Sequence, residues 1–188
     1  MEVNVQKSLL PADFTRQVPS TALKWLLQYG LPYSYWKESI GYSPSEERLV
    51  FRVEYEKQLA FSIGRYVGAA KEQHTPRKWY AWGEPHKHCR VINPGQQSVV
   101  LVEDLISAHK VGQVTTAIPL FGTKWHPPHL YYLIQENKPV VIWLDKDQDH
   151  RTKGMALRLS SIINQPVKTV STDKDPKWLS YKEIENVI

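Results

Sequence analysis

Residues 98–108 read SVVLVEDLISA, and how this stretch is read decides the fold. Val99 to Val102 is an unbroken apolar run, which suits a β-strand covered on both faces, as in a parallel sheet. Glu103 and Asp104 follow at its C-terminal end, and a helix begins directly after them. Residues 139–147, PVVIWLDKD, repeat the design: an apolar strand that ends on Asp145 and Asp147. Open α/β sheets bind their ligands beyond the carboxyl ends of the strands. If both strands lie in one parallel sheet, Glu103, Asp145 and Asp147 gather at one edge. Like charges repel there unless a cation neutralises them. Carboxylate oxygens suit Mg²⁺ or Mn²⁺.

Outward from that stretch, strands and helices alternate, which argues for a parallel sheet. A short helix is expected near Leu105–Lys110 and a Val/Thr-rich strand over Gln113–Pro119. His129–Glu136 reads as a helix started after Pro127 and Pro128. Arg151–Asn164 places Met155, Leu159, Ile162 and Ile163 at helical spacing. Val167–Ser171 reads as a fourth strand, and a last helix starts at Tyr181. Upstream the pattern differs. Met1–Val18 shows little periodicity and reads as a loose lead-in. Ser20 is placed to cap a helix over Thr21–Tyr29, stopped by Gly30 and Pro32. Tyr33–Glu46 is rich in turn residues. Arg48–Tyr55 and Gln58–Val67 read as a hairpin, Gly68–Arg77 as a basic loop and Lys78–Trp82 as a further strand. The Pro94–Gly95 turn is the expected boundary, giving a small basic α+β subdomain over 1–95 and an α/β domain over 96–188.

The chain has 188 residues and 41% hydrophobic content, enough for a real core. No stretch approaches the roughly 20 apolar residues of a membrane span, and Met1–Pro11 does not resemble a signal peptide. The single cysteine, Cys89, excludes an internal disulfide and a multi-cysteine zinc ribbon. A cytoplasmic setting without membrane contact is the expectation. The formal net charge is +5, and residues 57–90 alone carry that surplus through Lys57, Arg65, Lys71, Arg77, Lys78, Lys87 and Arg90 against Glu72 and Glu84. Trp79, Tyr80 and Trp82 lie in the same segment. Cations interleaved with aromatics suit single-stranded nucleic acid, whose phosphates and unstacked bases need both. Arg48, Arg65, Arg77, Lys78 and Trp79 are the candidate nucleic-acid contacts. The bland alternative is a solvated face whose aromatics belong to the core.

Other constellations carry less. A lone Asp-x-Asp is usually a solvated turn, but a glutamate and an Asp-x-Asp each ending a buried strand seldom coincide by chance. Lys146 and Lys153 lie near enough in sequence to clamp a triphosphate. His86, His88 and Cys89 offer three soft ligands without an evident fourth. Ser107 has no histidine partner that would make it a nucleophile.

A strand ending in Glu, a helix, and a later strand ending in Asp-x-Asp resembles the Toprim domain of bacterial-type primases, topoisomerases and some nucleases. The pieces are VVLVED with Glu103 and WLDKD with Asp145 and Asp147. Upstream, GYSPSEERLVFRV, LAFSIGRYVG and RKWYAWGEP resemble the basic subdomain that precedes Toprim in primases. The tail TDKDPKWLS resembles the Asp-Pro segment that closes the primase domain. The likeness runs over roughly Gly41–Ser180, and the short bacteriophage forms look most similar. It implies a Toprim-like parallel sheet with flanking helices behind the small basic subdomain. It also implies catalysis by Glu103, Asp145 and Asp147, with Asp175 as a further metal ligand. Three positions depart from the pattern: Asp104 stands at a usual glycine, Ser107 at a usual acid, and Lys177 at the second acid of the tail.

The resemblance implies a DNA primase-like nucleotidyltransferase that uses Mg²⁺ or Mn²⁺ to make short RNA primers from ribonucleoside triphosphates on single-stranded DNA. A separate replicative helicase is a possible partner, and the host cytoplasm the setting if the chain is phage-encoded. A Toprim nuclease and a non-catalytic DNA-binding replisome accessory protein are the alternatives.

Overall fold

The computed structural model describes residues 8–69 and 76–188, which divide into two units, one ending at Pro85 and one running from His86 to Ile188. Lys71 and Glu72, and with them most of the expected basic loop, lie outside the described residues.

In the first unit, two short helices, α1 (Ser20–Leu27) and α2 (Tyr33–Trp36), precede a four-stranded antiparallel sheet. Its strands are β1 (Ile40–Ser43), β2 (Arg48–Tyr55), β3 (Gln58–Tyr66) and β4 (Trp79–Gly83), in the spatial order β1-β2-β3-β4. The expected hairpin is present, with Tyr55 opposite Gln58. Its two-residue turn puts Glu56 and Lys57 at φ 50° and 65°, the left-handed backbone that two-residue hairpins require. Ser20 is the first helical residue rather than the cap, and Pro19 holds the preceding extended position. The lead-in is tied down from Leu9 onward, where the Leu9 carbonyl accepts from the Ser62 hydroxyl. Asp13 accepts from the Ser43 hydroxyl at 2.6 Å and from the Ser45 amide at 2.6 Å. Thr15 bridges to Tyr42. A Cβ on Gly41 would lie 2.3 Å from the Phe14 ring, so only glycine admits that ring.

In the second unit the strands are β5 (Val99–Val102), β6 (Thr116–Pro119), β7 (Val140–Ile142) and β8 (Val167–Thr169). They form a parallel sheet in the order β6-β5-β7-β8. The helices are α3 (Leu105–Val111), α4 (Pro127–Glu136), α5 (Asp149–Ser160) and α6 (Tyr181–Val187). Alternate strand residues feed two cores, because side chains along a strand point to opposite faces. Val99, Leu101, Val140 and Ile142 pack with Leu133 of α4 and with Met155 and Leu159 of α5. Val100, Val102, Val141 and Trp143 pack with Ala108 and Val111 of α3 and with Ile184 of α6. The central strand is therefore apolar at every position, and each such side chain contributes about 1.5–3 kcal/mol by burial. The fold class is α/β as expected: a parallel sheet flanked by helices, with an antiparallel sheet in the preceding unit.

The division falls upstream of the Pro94–Gly95 turn. Ile92 pairs with Ala117 through reciprocal backbone hydrogen bonds of 2.9 and 3.0 Å, and this ties the connector to the α/β unit.

Candidate functional site

The acidic edge is built by the turns that leave β5 and β7. Glu103 follows β5 directly. Asp104, next in the chain, is the N-cap of α3: its Oδ1 accepts from the Ser107 amide at 2.9 Å and its Oδ2 from the Ser107 hydroxyl at 3.2 Å. Asp145 lies just past β7, where its carbonyl accepts from the Gln148 amide at 2.8 Å and starts a turn over Lys146–Gln148. β5 and β7 are parallel neighbours, with Val100 opposite Val141, so both acids emerge at the same end of the sheet.

Their charges act on one another. Glu103 is pushed up to about 7, first by burial and then by Asp145, Asp147 and Asp104. Asp145 is raised to about 6 by burial, against the pull of Lys177. Glu103 Oε2 and Asp145 Oδ1 are buried with no hydrogen-bond partner. Asp147 is exposed and accepts from the Gln148 side chain at 2.8 Å.

Sequence reasoning did not place Lys177 in the site. Its ammonium donates to Asp104 Oδ2 at 2.9 Å and to Asp145 Oδ2 at 3.1 Å, and it lies 3.0 Å from Asp175 Oδ2. Burial alone would lower its pKa, but Asp104, Asp145 and Asp175 hold it well above the ordinary lysine range. The available signal was the pairing of an extra acid at 104 with a base at 177, which in the fold meet each other. Lys146, one candidate triphosphate clamp, pairs with Asp173 at 2.8 Å on the surface, and Lys153 is exposed on α5.

The fit of a divalent ion follows from these contacts. Among the described residues, no three His, Cys, Asp or Glu side chains are grouped as a ready metal cage. The ammonium of Lys177 engages Asp104, Asp145 and Asp175. The oxygens that suit a hard cation are the partnerless Glu103 Oε2 and Asp145 Oδ1. The His86–Cys89 segment does not suit zinc. The Cys89 thiol is half-buried against the core and pushed up to about 12 by burial, whereas a zinc ligand must be a thiolate. Nearby His129 is fully buried, and its Nδ1 accepts from the His126 amide at 2.9 Å. As a neutral ring it therefore carries its proton on Nε2.

In the first unit the candidate nucleic-acid residues separate. Arg48 is 4% exposed. It donates to the carbonyls of Gly64 at 3.2 Å and Arg77 at 2.8 Å and pairs with Glu46. These contacts engage its guanidinium within the unit. The register sets Arg65 opposite Trp79, and Gly64 opposite both Val50 and Tyr80. Arg65 and Trp79 thus share one face of the sheet, while Arg48 and Tyr80 share the other. The Arg65 guanidinium lies over the Trp25 ring at 4.9 Å and the Trp79 ring at 5.6 Å. Arg77 and Lys78 are exposed, and Tyr80 is an exposed aromatic beside them.

No family model matches the chain, and no curated protein matches it. Among solved structures it is similar to the zinc-binding and RNA polymerase domains of the Aquifex aeolicus primase, at 15% identity and a TM-score of 0.57. The match covers 89% of this chain and 48% of that one, so the chain spans about half the length of its structural relative. At that identity the likeness is one of fold, and the fold of this chain is primase-like.

Proposed function

We propose that the chain is a Toprim-type, primase-like nucleotidyltransferase that makes short RNA primers on single-stranded DNA. The observation that carries this reading is the pair of partnerless buried oxygens, Glu103 Oε2 and Asp145 Oδ1, at the carboxyl edge of the sheet in a primase-like fold. Glu103 and Asp145, with Asp147 beside them, would hold Mg²⁺ or Mn²⁺. Such an ion would offset charge on phosphate oxygens and orient the attacking hydroxyl. Arg77, Lys78 and Tyr80 supply exposed cations and an aromatic face for a template strand. Ribonucleoside triphosphates are the substrates on this reading, a separate replicative helicase a natural partner, and the cytoplasm, of a host if the chain is phage-encoded, the setting.

One observation favours a second reading. Lys177 fills the acid cluster, as it would in a DNA-binding accessory protein that keeps the fold without the chemistry. The test is incorporation of labelled ribonucleotides on a single-stranded DNA template, run beside a cleavage assay on the same DNA. Template-dependent products without cleavage support the proposal. Cleavage alone makes the chain a nuclease, and binding with neither product makes it an accessory protein.

A further inference from the structure

Lys177 sits inside the turn Pro176–Trp178, and its side chain is only 15% exposed. Three carboxylates surround the ammonium, each from a different segment: Asp104 at 2.9 Å from the cap of α3, Asp145 at 3.1 Å from the end of β7, and Asp175 at 3.0 Å from the start of the turn. The ammonium donates to Asp104 and Asp145 and stands 3.0 Å from Asp175, so its charge faces three carboxylates at once. Asp104 is fixed independently by Ser107. Without Lys177 its charge would stay where it is and face the other two. Surface pairs contribute little, but removing one partner from a largely buried set leaves uncompensated charge, and that is costly.

We propose that Lys177 is a tethered counter-ion: it assembles the acidic edge without metal and lowers the affinity of that edge for divalent ions. It is a positioning residue, acting through Asp104, Asp145 and Asp175. The inference uses the same edge as the proposed activity, but it concerns charge balance and holds whether or not the chain makes RNA.

The experiment takes the full chain and Lys177→Met, which keeps the length of the apolar stem. It measures thermal unfolding in EDTA and with added Mn²⁺, together with Mn²⁺ binding by the paramagnetic resonance signal of the free ion. The wild type is expected to melt at nearly the same temperature in both conditions. Lys177→Met is expected to melt lower in EDTA, to recover with Mn²⁺ and to bind Mn²⁺ about tenfold tighter or more, since a fixed positive charge at this range repels a second cation. If Lys177→Met does not fold, Lys177→Met with Asp104→Asn replaces it, because asparagine keeps the cap while removing one charge. That double variant is expected to fold in EDTA and to bind Mn²⁺ more tightly than the wild type. Melting of Lys177→Met at the wild-type temperature in EDTA, or unchanged Mn²⁺ affinity in whichever variant folds, would overturn the proposal. No arm uses DNA or nucleotides, so a failure here is distinct from a failure of primer synthesis.

Discussion

Glu103 keeps a buried oxygen without a partner and is raised from its ordinary 4.5 to about 7. A carboxyl raised in the folded state holds its proton more tightly than in the unfolded chain. Its stabilising effect is present below the ordinary value and is lost as pH rises through the folded value. Asp145, Asp147 and Asp104 face it and act in that direction, while Lys177 opposes them. The buried imidazoles of His109 and His129, lowered to about 3 and about 4, give the opposite slope in an overlapping range. Those histidines are common to both proteins and cancel in the difference between variants, which reads Glu103 together with Asp145, the carboxyl that faces it and is itself raised to about 6. In EDTA, Glu103→Gln is expected to gain stability relative to wild type as pH rises from 4.5 through 7, read by thermal melting across that range. A difference that does not change with pH would contradict the assignment. At this scale the sequence showed which acids end the buried strands, because position along a strand is a local property. It did not show Lys177 among them, since that contact joins residues 73 apart in the chain.

The elements were legible where periodicity is strong. β2 and β5 occupy the expected residues, and α4 begins at the proline pair. β1 and α2 were not, because Tyr33–Ser43 has turn chemistry in sequence and is ordered by partners: Trp36 packs edge-on against Phe51 and Phe14 packs over Gly41. Two expected outcomes belong here. Leu101→Ala, at the centre of β5 and fully buried, should cost about 2–5 kcal/mol in urea unfolding. Gly64→Ala would place a methyl 2.6 Å from the Trp82 ring and 3.0 Å from the Arg48 stem, and should cost about 1–3 kcal/mol by overpacking. The split of the aromatic and basic residues between the two faces of the antiparallel sheet also follows from strand period. Composition gathers those residues into one segment, but alternation separates them. Replacing both Arg77 and Lys78 by Ala is therefore expected to weaken single-stranded DNA binding and flatten its salt dependence, while Arg48→Ala should first lower stability. Titrations at several salt concentrations check this. Equal affinity with and without Arg77 and Lys78 would move the interface elsewhere.

For the whole molecule, the change in rhythm at Ser98 suggests a boundary at the Pro94–Gly95 turn, and the structure has two compact units that meet in sequence at Pro85 and His86. Ile92 explains the offset, since its pairing partner lies far downstream and nothing in the local sequence marks it. The primase-like fold extends over 89% of the chain, and at 15% identity the assignment of chemistry rests on the edge residues themselves. The most direct test of the central claim is template-dependent primer synthesis by Asp145→Asn beside wild type, with single-stranded DNA affinity and melting temperature measured on the same samples. The expected result is loss of synthesis with DNA affinity retained and a cooperative melt. Full-length product from Asp145→Asn at the wild-type rate would contradict the account.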